Sequence, residues 1–198
     1  MRLGIFGGTF DPPHLAHLVL AMEAADQLGL EKVLWVLTPD PPHKQERIIS
    51  PVSHRLTMVS STIAENPIFE LSLVDIDRPG PHYAVDTVKL LGRQYPGFEL
   101  YYLIGGDSLR DLPAWRDPKV LIDRCDGLGV MRRPGVELHL QELEHKLPGL
   151  KGKLVFFDAP LLDISSQDIR DRVASGRPYR YFVLPGIYHY IEENLLYR

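Results

Sequence analysis

The chain has 198 residues, 44% of them hydrophobic and 24% charged, a composition that predicts one well-packed globular core. Its net charge of −4 provides no basic surface of the kind that binds nucleic acid or an anionic membrane, so we expect neither as a partner. The single cysteine, Cys125, excludes an internal disulfide and favours a cytoplasmic protein. No apolar run approaches membrane-spanning length. The sequence makes no prediction of the oligomeric state.

Short apolar runs alternate with segments in which apolar residues follow helical spacing. In chain order we predict a strand at 2–6, a helix from Leu15 that ends at Gly29, a strand at 33–37, a helix at 52–63, a strand at 69–74, a helix around 85–91, strands at 98–104 and 127–131, a helix at 136–147, a strand at 154–157 and closing helices at 166–174 and 185–195. Such alternation predicts an α/β fold with a doubly wound parallel sheet.

Four polar clusters follow predicted strands, at 7–17, 39–44, 105–107 and 164–170. Ligands of doubly wound sheets bind at the carboxyl ends of the strands, near the point where the strand order reverses. We therefore expect these clusters to converge on one edge of the sheet.

The first cluster, GGTFDPPHLAH, combines two glycines with two histidines. Gly7 and Gly8 allow a ligand to approach the backbone closely. His14 and His17 lie three residues apart at a helix start, so both side chains can donate to phosphate oxygens there and neutralise their charge. The alternatives are a metal pair or structural histidines. A metal site needs a third ligand, and no nearby spacing supplies one, so we predict no metal on these residues.

The second cluster, PPHK, places His43 and Lys44 on a stiff loop, where an ordinary solvated loop is the alternative. Two further cations, Arg47 and Arg55, are expected to face solvent.

The third cluster, GGDSL, has an acid just past a strand, at a helix start. Asp107 could accept from ribose hydroxyls, although Asp107 or Ser108 could also serve as a helix N-cap. Trp115 follows closely, and its indole could stack on a flat ring or belong to the core.

The fourth cluster, ISSQDIR, offers hydroxyls and backbone amides at a helix start, with Arg170 one turn in. These groups together could hold phosphate. A capping box between Ser165 and Asp168 is the alternative, but it does not account for Arg170.

In this order GGTFDPPHLAH, PPHK, HYAVDT, GGDSLRDLPAW, RRPG and ISSQDIR resemble the motifs of the bacterial nicotinate-mononucleotide adenylyltransferases over essentially the whole chain. The resemblance implies a Rossmann-like nucleotide-binding domain over 1–160, with a small helical C-terminal region over 161–198 packed on it. It implies that ATP, carrying Mg²⁺, and nicotinate mononucleotide react to give deamido-NAD and pyrophosphate.

The resemblance also implies site residues. The catalytic set would be His14, His17, Lys44 and Arg170. The ATP site would comprise Gly7, Gly8, Thr9, Phe10, His14, His17, Gly105, Asp107, Arg133, Ser165, Ser166 and Arg170. The nicotinate mononucleotide site would comprise Lys44, Tyr83, Ala84, Trp115 and Arg116, with backbone amides near Tyr83 on the carboxylate.

Four positions depart from the family pattern. Ala16 stands where the family usually has glycine, and Gln167 where it often has threonine. His82 and Ala84 flank Tyr83 in place of Ser and Thr. Backbone contacts survive these changes, whereas side-chain hydroxyl contacts do not.

The expected reaction is in-line attack of the mononucleotide phosphate on the α-phosphorus of ATP, without a covalent intermediate. The alternatives are a phosphopantetheine adenylyltransferase, a cytidylyltransferase, a fragment of a class I aminoacyl-tRNA synthetase, or a regulatory nucleotide-binding module without chemistry.

Overall fold

The computed structural model describes residues 1–40, 49–132 and 138–198. The six strands are β1 (Arg2–Gly8), β2 (Lys32–Leu37), β3 (Phe69–Ser72), β4 (Glu99–Gly105), β5 (Gly127–Met131) and β6 (Leu154–Phe157). The α-helices within the described ranges are α1 (Leu15–Leu28), α2 (Val52–Ile63), α3 (Ala84–Gln94), α4 (Gly106–Asp111), α5 (Pro118–Arg124), α6 (Leu140–Lys146), α7 (Ser166–Ala174) and α8 (Pro185–Glu193).

The strands form one parallel sheet in the order β3-β2-β1-β4-β5-β6. The chain winds from β1 outward to β3 and then returns to place β4 on the other side of β1. The strand order therefore reverses between β1 and β4, and a ligand crevice is expected at their carboxyl ends. This confirms the predicted Rossmann-like, doubly wound α/β fold.

Two hydrophobic clusters cover the two faces of the sheet. On one face α1 packs closely, because it presents the small side chains of Ala21, Ala24 and Ala25. Gly129 on β5 contributes to this close packing. A Cβ at that position would lie 2.8 Å from a methyl carbon of Leu28 at the end of α1. Helix α1 is therefore held close to this face of the sheet.

The C-terminal helices form a smaller cluster that includes Met58 of α2. Ile169 of α7 and Ile187 and Ile191 of α8 are fully buried there. The packing explains how α7 is held near the sheet. The boundary at residue 160 remains a prediction.

Element bounds differ from the sequence prediction in a few places. Helix α5 was not predicted, although Pro118 at its first position is a recognised start signal. Helix α8 ends before Leu195, whose left-handed backbone (φ 52°) cannot continue a helix. Val136 in the predicted helix before β6 lies outside the described residues.

Arg55 is buried, so the predicted solvent-facing role is wrong. It is 1% exposed on α2, and its guanidinium donates to main-chain carbonyls just after β1, just after β2 and just before α2. These carbonyls belong to Ser50 (2.9 Å), Thr9 (3.0 Å), Thr38 (2.9 Å) and Pro39 (2.8 Å). The planar fork of five donors makes this possible, whereas an ammonium offers three. Arg47 lies outside the described residues.

Replacing Arg55 by Met should destabilise the fold, because it leaves buried carbonyls without donors and removes the charge that faces Asp11. We expect a loss of about 3 kcal/mol or more in the free energy of unfolding, measured by urea denaturation. Arg93→Met, at an exposed position of α3, is the matched control. Equal unfolding midpoints for the two variants would contradict this role.

Candidate active site

A cleft of about 360 Å³ opens between the start of α1, the segment after β6 and the start of α7. It is lined by five residues that the sequence predicted for one site: His14, His17, Ser165, Ser166 and Arg170. The sequence separation between the two groups exceeds 140 residues, so the fold, and not local sequence, brings them together.

The two histidine rings are stacked, with centroids 3.6 Å apart and planes 25° from parallel. The main-chain amide of His14, the N-cap of α1, donates to Nδ1 of His17 over 3.2 Å. His14 is 6% exposed, and its Nδ1 has no hydrogen-bond partner among the described residues. A buried ring nitrogen without a partner in a cleft is a candidate for binding a ligand.

Burial lowers the pKa of His14 to about 4, although the nearby Asp168 carboxylate acts in the opposite direction. In the ligand-free protein this imidazole is therefore uncharged at pH 7. It can offer a hydrogen bond to a phosphate, but the charge neutralisation expected from the sequence is not available before a ligand arrives.

The glycines of the first cluster make room for aromatic rings of the protein itself. A Cβ on Gly8 would lie 2.7 Å from the Phe10 ring, and one on Gly7 would lie 3.0 Å from the Tyr102 hydroxyl. Phe10 is only 2% exposed and packs against Phe6, so any ligand contact at this residue must come from its backbone. That backbone is left-handed (φ 49°), which is rare for a bulky residue and common near functional sites.

Both hydroxyls at the start of α7 already donate within the protein. Ser165 caps the helix, accepting from the Asp168 amide (3.1 Å) and donating to its carboxylate (2.5 Å). Ser166 donates to the main-chain oxygen of Pro12 over 2.8 Å, which ties α7 to the segment before α1. Ser165 therefore caps the helix with Asp168 as its partner, as the alternative interpretation expected. The remaining donors toward the cleft are main-chain amides of α7.

Arg170 spans the gap between α7 and the segment before α1. One terminal nitrogen donates to the main-chain oxygen of Asp11 over 2.6 Å, and the other donates to the Gln167 side chain. Both acceptors are neutral groups, so neither of these hydrogen bonds is an ion pair. Gln167 in turn donates to Asp171 over 2.7 Å.

On the other side of β1, Gly105 ends β4 and caps α4, so neither Asp107 nor Ser108 is the N-cap. Asp107 lies in the first turn and pairs with Arg110 at 3.4 Å, with both side chains about half exposed. This pair is solvent-screened and leaves the carboxylate at the surface.

Trp115 is half-buried and meets Tyr102 edge-on, with ring centroids 6.1 Å apart. It packs against the core cluster on this face and keeps an accessible side, and its stacking on a ligand ring stays a prediction. Arg116 pairs with Asp117 at 3.1 Å, and its guanidinium carbon lies 5.9 Å from the centroid of the Tyr83 ring.

Tyr83 is the N-cap of α3 and Ala84 its first residue, so their amides are at a helix start. Arg78 fixes this segment, donating to the main-chain oxygens of Pro81 (3.1 Å) and Tyr83 (3.5 Å) while pairing with the buried Asp75 at 2.9 Å. No sequence motif points to Asp75 or Arg78, because their role depends on where the chain turns.

His43, Lys44 and Arg133 lie outside the described residues. Conversely, Arg132 was not predicted, but it lines the cleft and pairs with Asp158 at 3.0 Å. Its position directly after β5, at the carboxyl edge of the sheet, is the signal that could have found it.

Within residues 1–40, 49–132 and 138–198, no three His, Cys, Asp or Glu side chains are grouped so that they could hold a metal ion. Across the same ranges, no helix is long and apolar enough to cross a membrane.

The low pKa of His14 predicts a pH-dependent stability. Between pH 6.5 and about 4 the His14 imidazole binds a proton in the unfolded chain but not in the folded protein. The contribution of neutral His14 to the free energy of unfolding is therefore complete above pH 6.5 and declines as the pH falls through that window. Between pH 7 and pH 5 we expect His14 to account for about 2 kcal/mol of lost stability. His14→Gln should remove that part of the loss in urea unfolding, whereas the exposed control His189→Gln should not. Identical pH slopes for wild type and His14→Gln would contradict this assignment.

The cytidylyltransferase-like family matches residues 5–172 of the chain. Among curated proteins, the nicotinate-nucleotide adenylyltransferase of Bacillus subtilis is 39% identical over 99% of this chain and 98% of its own length. A protein of Thermomicrobium roseum, named a probable nicotinate-nucleotide adenylyltransferase, is 45% identical over all of this chain and 92% of its own length.

Solved structures show the same fold at lower identity. The Plasmodium falciparum nicotinic acid mononucleotide adenylyltransferase complexed with NaAD superposes with a TM-score of 0.80 at 19% identity, covering 99% of this chain and 97% of its own. The same enzyme complexed with APC gives 0.77 at 20% identity, covering 99% and 96%. By sequence and fold, the chain belongs to the cytidylyltransferase-like family and, within it, to the nicotinate-nucleotide adenylyltransferases.

Proposed function

We propose that this protein transfers the adenylyl group of ATP to nicotinate mononucleotide, forming deamido-NAD and pyrophosphate in NAD biosynthesis. The observation that supports this most directly is the cleft itself. It brings the start of α7, Arg170 and the two histidines at the start of α1 next to the end of β5, at the carboxyl edge of the sheet. Such an edge suits nucleotide phosphates.

The triphosphate of ATP would lie in this cleft. Arg170 supplies fixed positive charge, and the first main-chain amides of α7 supply donors together with the helix dipole. His14 contributes an N–H donor from its uncharged imidazole. A bound phosphate would raise the pKa of His14, because its negative charge offsets part of the cost of burying an imidazolium. His17, stacked on His14, is the second imidazole donor. Ser165 and Ser166 act mainly through their position at the helix start, because their hydroxyl hydrogens have protein acceptors.

The adenosine half would cross from β1 to β4. The backbone of Gly7, Gly8, Thr9 and Phe10 lies beneath the nucleotide in this proposal, and the end of β4 at Gly105 lies beside it. The exposed carboxylate of Asp107 can accept from ribose hydroxyls if it exchanges its contact with Arg110. Arg133 remains the predicted residue near the adenine.

Nicotinate mononucleotide would bind next to the start of α3. The amides near Tyr83 and Ala84 at the start of α3 face the pyridine carboxylate, and the accessible side of Trp115 stacks on the ring. Arg116 adds positive charge close to Tyr83. Lys44 remains the predicted partner of the mononucleotide phosphate.

The reaction proposed is a direct displacement. An oxygen of the mononucleotide phosphate forms a bond to the α-phosphorus of ATP, the bond to the bridging oxygen breaks, and pyrophosphate leaves with that electron pair. The attacking phosphate is already an anion near neutral pH, so no general base and no covalent enzyme intermediate are required. Positioning and stabilisation of the leaving charge supply the acceleration.

Mg²⁺ enters this scheme as part of the substrate, bound to the triphosphate of ATP. The described carboxylates and histidines offer no cage for a resident ion, so the phosphate oxygens would carry most of its coordination. The proposed compartment is the cytoplasm, consistent with the single buried thiol.

Substrate choice distinguishes this proposal from its alternatives. We expect pyrophosphate release from ATP and Mg²⁺ with nicotinate mononucleotide, and much slower release with nicotinamide mononucleotide, measured in a coupled pyrophosphate assay. Phosphopantetheine as acceptor, or CTP as donor, should give no release above background. Preference for either would identify another member of the superfamily, and ATP binding without any pyrophosphate release would indicate a regulatory module.

Removing the proposed phosphate contacts should slow the chemical step. We expect His17→Ala and Arg170→Ala each to lower kcat more than ~100-fold, the scale of losing one preorganised donor to a developing charge. His189→Ala, on the exposed face of α8, should retain wild-type kcat. A folded Arg170→Ala enzyme with near-normal kcat would contradict the role of Arg170.

Loss of the indole at position 115 should act on one substrate only. Trp115→Ala is expected to raise the KM for nicotinate mononucleotide about tenfold, because ring stacking contributes on the order of 1–3 kcal/mol. The KM for ATP should stay within twofold of wild type. Trp115→Phe, which keeps a flat ring and the packing against Tyr102, should show a smaller effect. An equal change in both KM values would instead indicate general damage to the fold.

A further inference from the structure

The C-terminus of the chain reaches the candidate active site. The Tyr197 hydroxyl donates to Oδ1 of Asp11 over 2.7 Å, a contact between residues 186 positions apart. Asp11 is 3% exposed and lies in the segment that connects β1 to the histidine pair. Neither Asp11 nor Tyr197 has a role in the function proposed above.

Asp11 has a different partner at each of its oxygens. Its Oδ1 accepts from Tyr197, and its Oδ2 accepts from the main-chain amide of Ser50 over 3.1 Å. Its main-chain oxygen accepts from Arg170 over 2.6 Å. The same residue therefore binds the C-terminal tail through its side chain and holds the proposed phosphate-binding arginine through its backbone.

Charged groups surround this contact on several elements. Arg55 of α2 and Arg170 of α7 both face the pair of Asp11 and Tyr197. The hydrogen bonds of Arg55 nevertheless go to main-chain carbonyls, so it does not replace Tyr197 as a donor to Asp11. Without the tyrosine hydroxyl, Oδ1 would be a buried carboxylate oxygen that has lost its donor.

The tail adopts an unfavourable backbone to make this contact. Leu195 and Tyr197 have φ values of 52° and 65°, in the left-handed region that L-residues rarely occupy. Such conformations persist where the surrounding contacts fix them. The hydrogen bond to Asp11 is one of the contacts that fix Tyr197, together with packing against the C-terminal cluster.

We propose, on the basis of the function inferred above, that Tyr197 is a positioning residue. Its hydroxyl fixes Asp11, and the main-chain oxygen of Asp11 in turn orients Arg170 toward the leaving pyrophosphate. The C-terminal tail is thus part of the active-site architecture, although it does not touch the substrates.

Tyr197→Phe removes only the hydroxyl and tests the proposal with the full chain. We expect kcat for pyrophosphate release to fall about tenfold, since displacement of a contact group by a fraction of an ångström is enough for such a loss. The KM for nicotinate mononucleotide should change less than twofold. Tyr190→Phe is the matched control, because it also removes a C-terminal hydroxyl bonded at 2.9 Å to another element, here His54 of α2.

A double-mutant cycle separates positioning from general stabilisation. If Tyr197 acts through Arg170, the double variant Tyr197→Phe/Arg170→Lys should be within about twofold of Arg170→Lys alone. Multiplicative effects of the two changes would overturn the proposal, as would wild-type kcat in Tyr197→Phe or an equal loss in Tyr190→Phe.

A binding measurement distinguishes failure of this proposal from failure of the proposed function. Calorimetric titration with Mg²⁺ and α,β-methylene-ATP should show several-fold weaker binding for Tyr197→Phe than for wild type and Tyr190→Phe. Wild-type protein that binds this analogue but releases no pyrophosphate would overturn the function alone. Equal affinities in all three proteins, together with an active wild type, would overturn the role of Tyr197 alone.

Discussion

The hydrogen bonds of the buried Arg55 guanidinium constrain the active-site edge of the sheet. Three of its four N–H···O contacts join α2 to the chain just after β1 and just after β2, and the fourth reaches Ser50 just ahead of α2. Irregular segments at a sheet edge have carbonyls that neither helix nor strand satisfies, and burying them without donors is costly. One residue on a regular helix meets this requirement for both segments. The segment that leads to His14, and the one that leads toward Lys44, begin from positions that Arg55 fixes.

Charge is arranged locally in this protein rather than globally. The chain carries a net charge of −4, yet both proposed substrates are anions. A general positive field would attract many polyanions, whereas a few placed cations act only where their geometry fits. Arg170 illustrates the arrangement, since its described partners are a main-chain oxygen and a side-chain amide rather than carboxylates. An uncharged His14 fits the same pattern, because a buried imidazolium without a bound anion would destabilise the fold.

Hydrophobic periodicity was sufficient to predict the architecture, because the inner strands of this parallel sheet are buried on both faces and are mostly apolar. Helix α5 escaped prediction because seven residues are too few to show a clear 3.6-residue period. Polar residues were harder to place. Residue type favours an exposed arginine at position 55, and only the tertiary structure shows the carbonyls that surround it. Phe10 likewise belongs to a ligand-binding motif by sequence, while its side chain lies in the core.

Two of the departures from the family pattern line the cleft, and their contacts in the structure show more than their residue types do. Ala16 adds one methyl group on the face of α1 that borders the cavity, a small change in clearance. Gln167 has a larger effect, because its side-chain oxygen accepts from Arg170 and its amide donates to Asp171. A threonine could offer only a short hydroxyl at this position, which cannot span both partners. A glutamate could accept from Arg170 but would pair with its charge and weaken its attraction for phosphate. Glutamine orients the guanidinium through a neutral acceptor, so this departure links Arg170 to Asp171 without placing a carboxylate on the guanidinium.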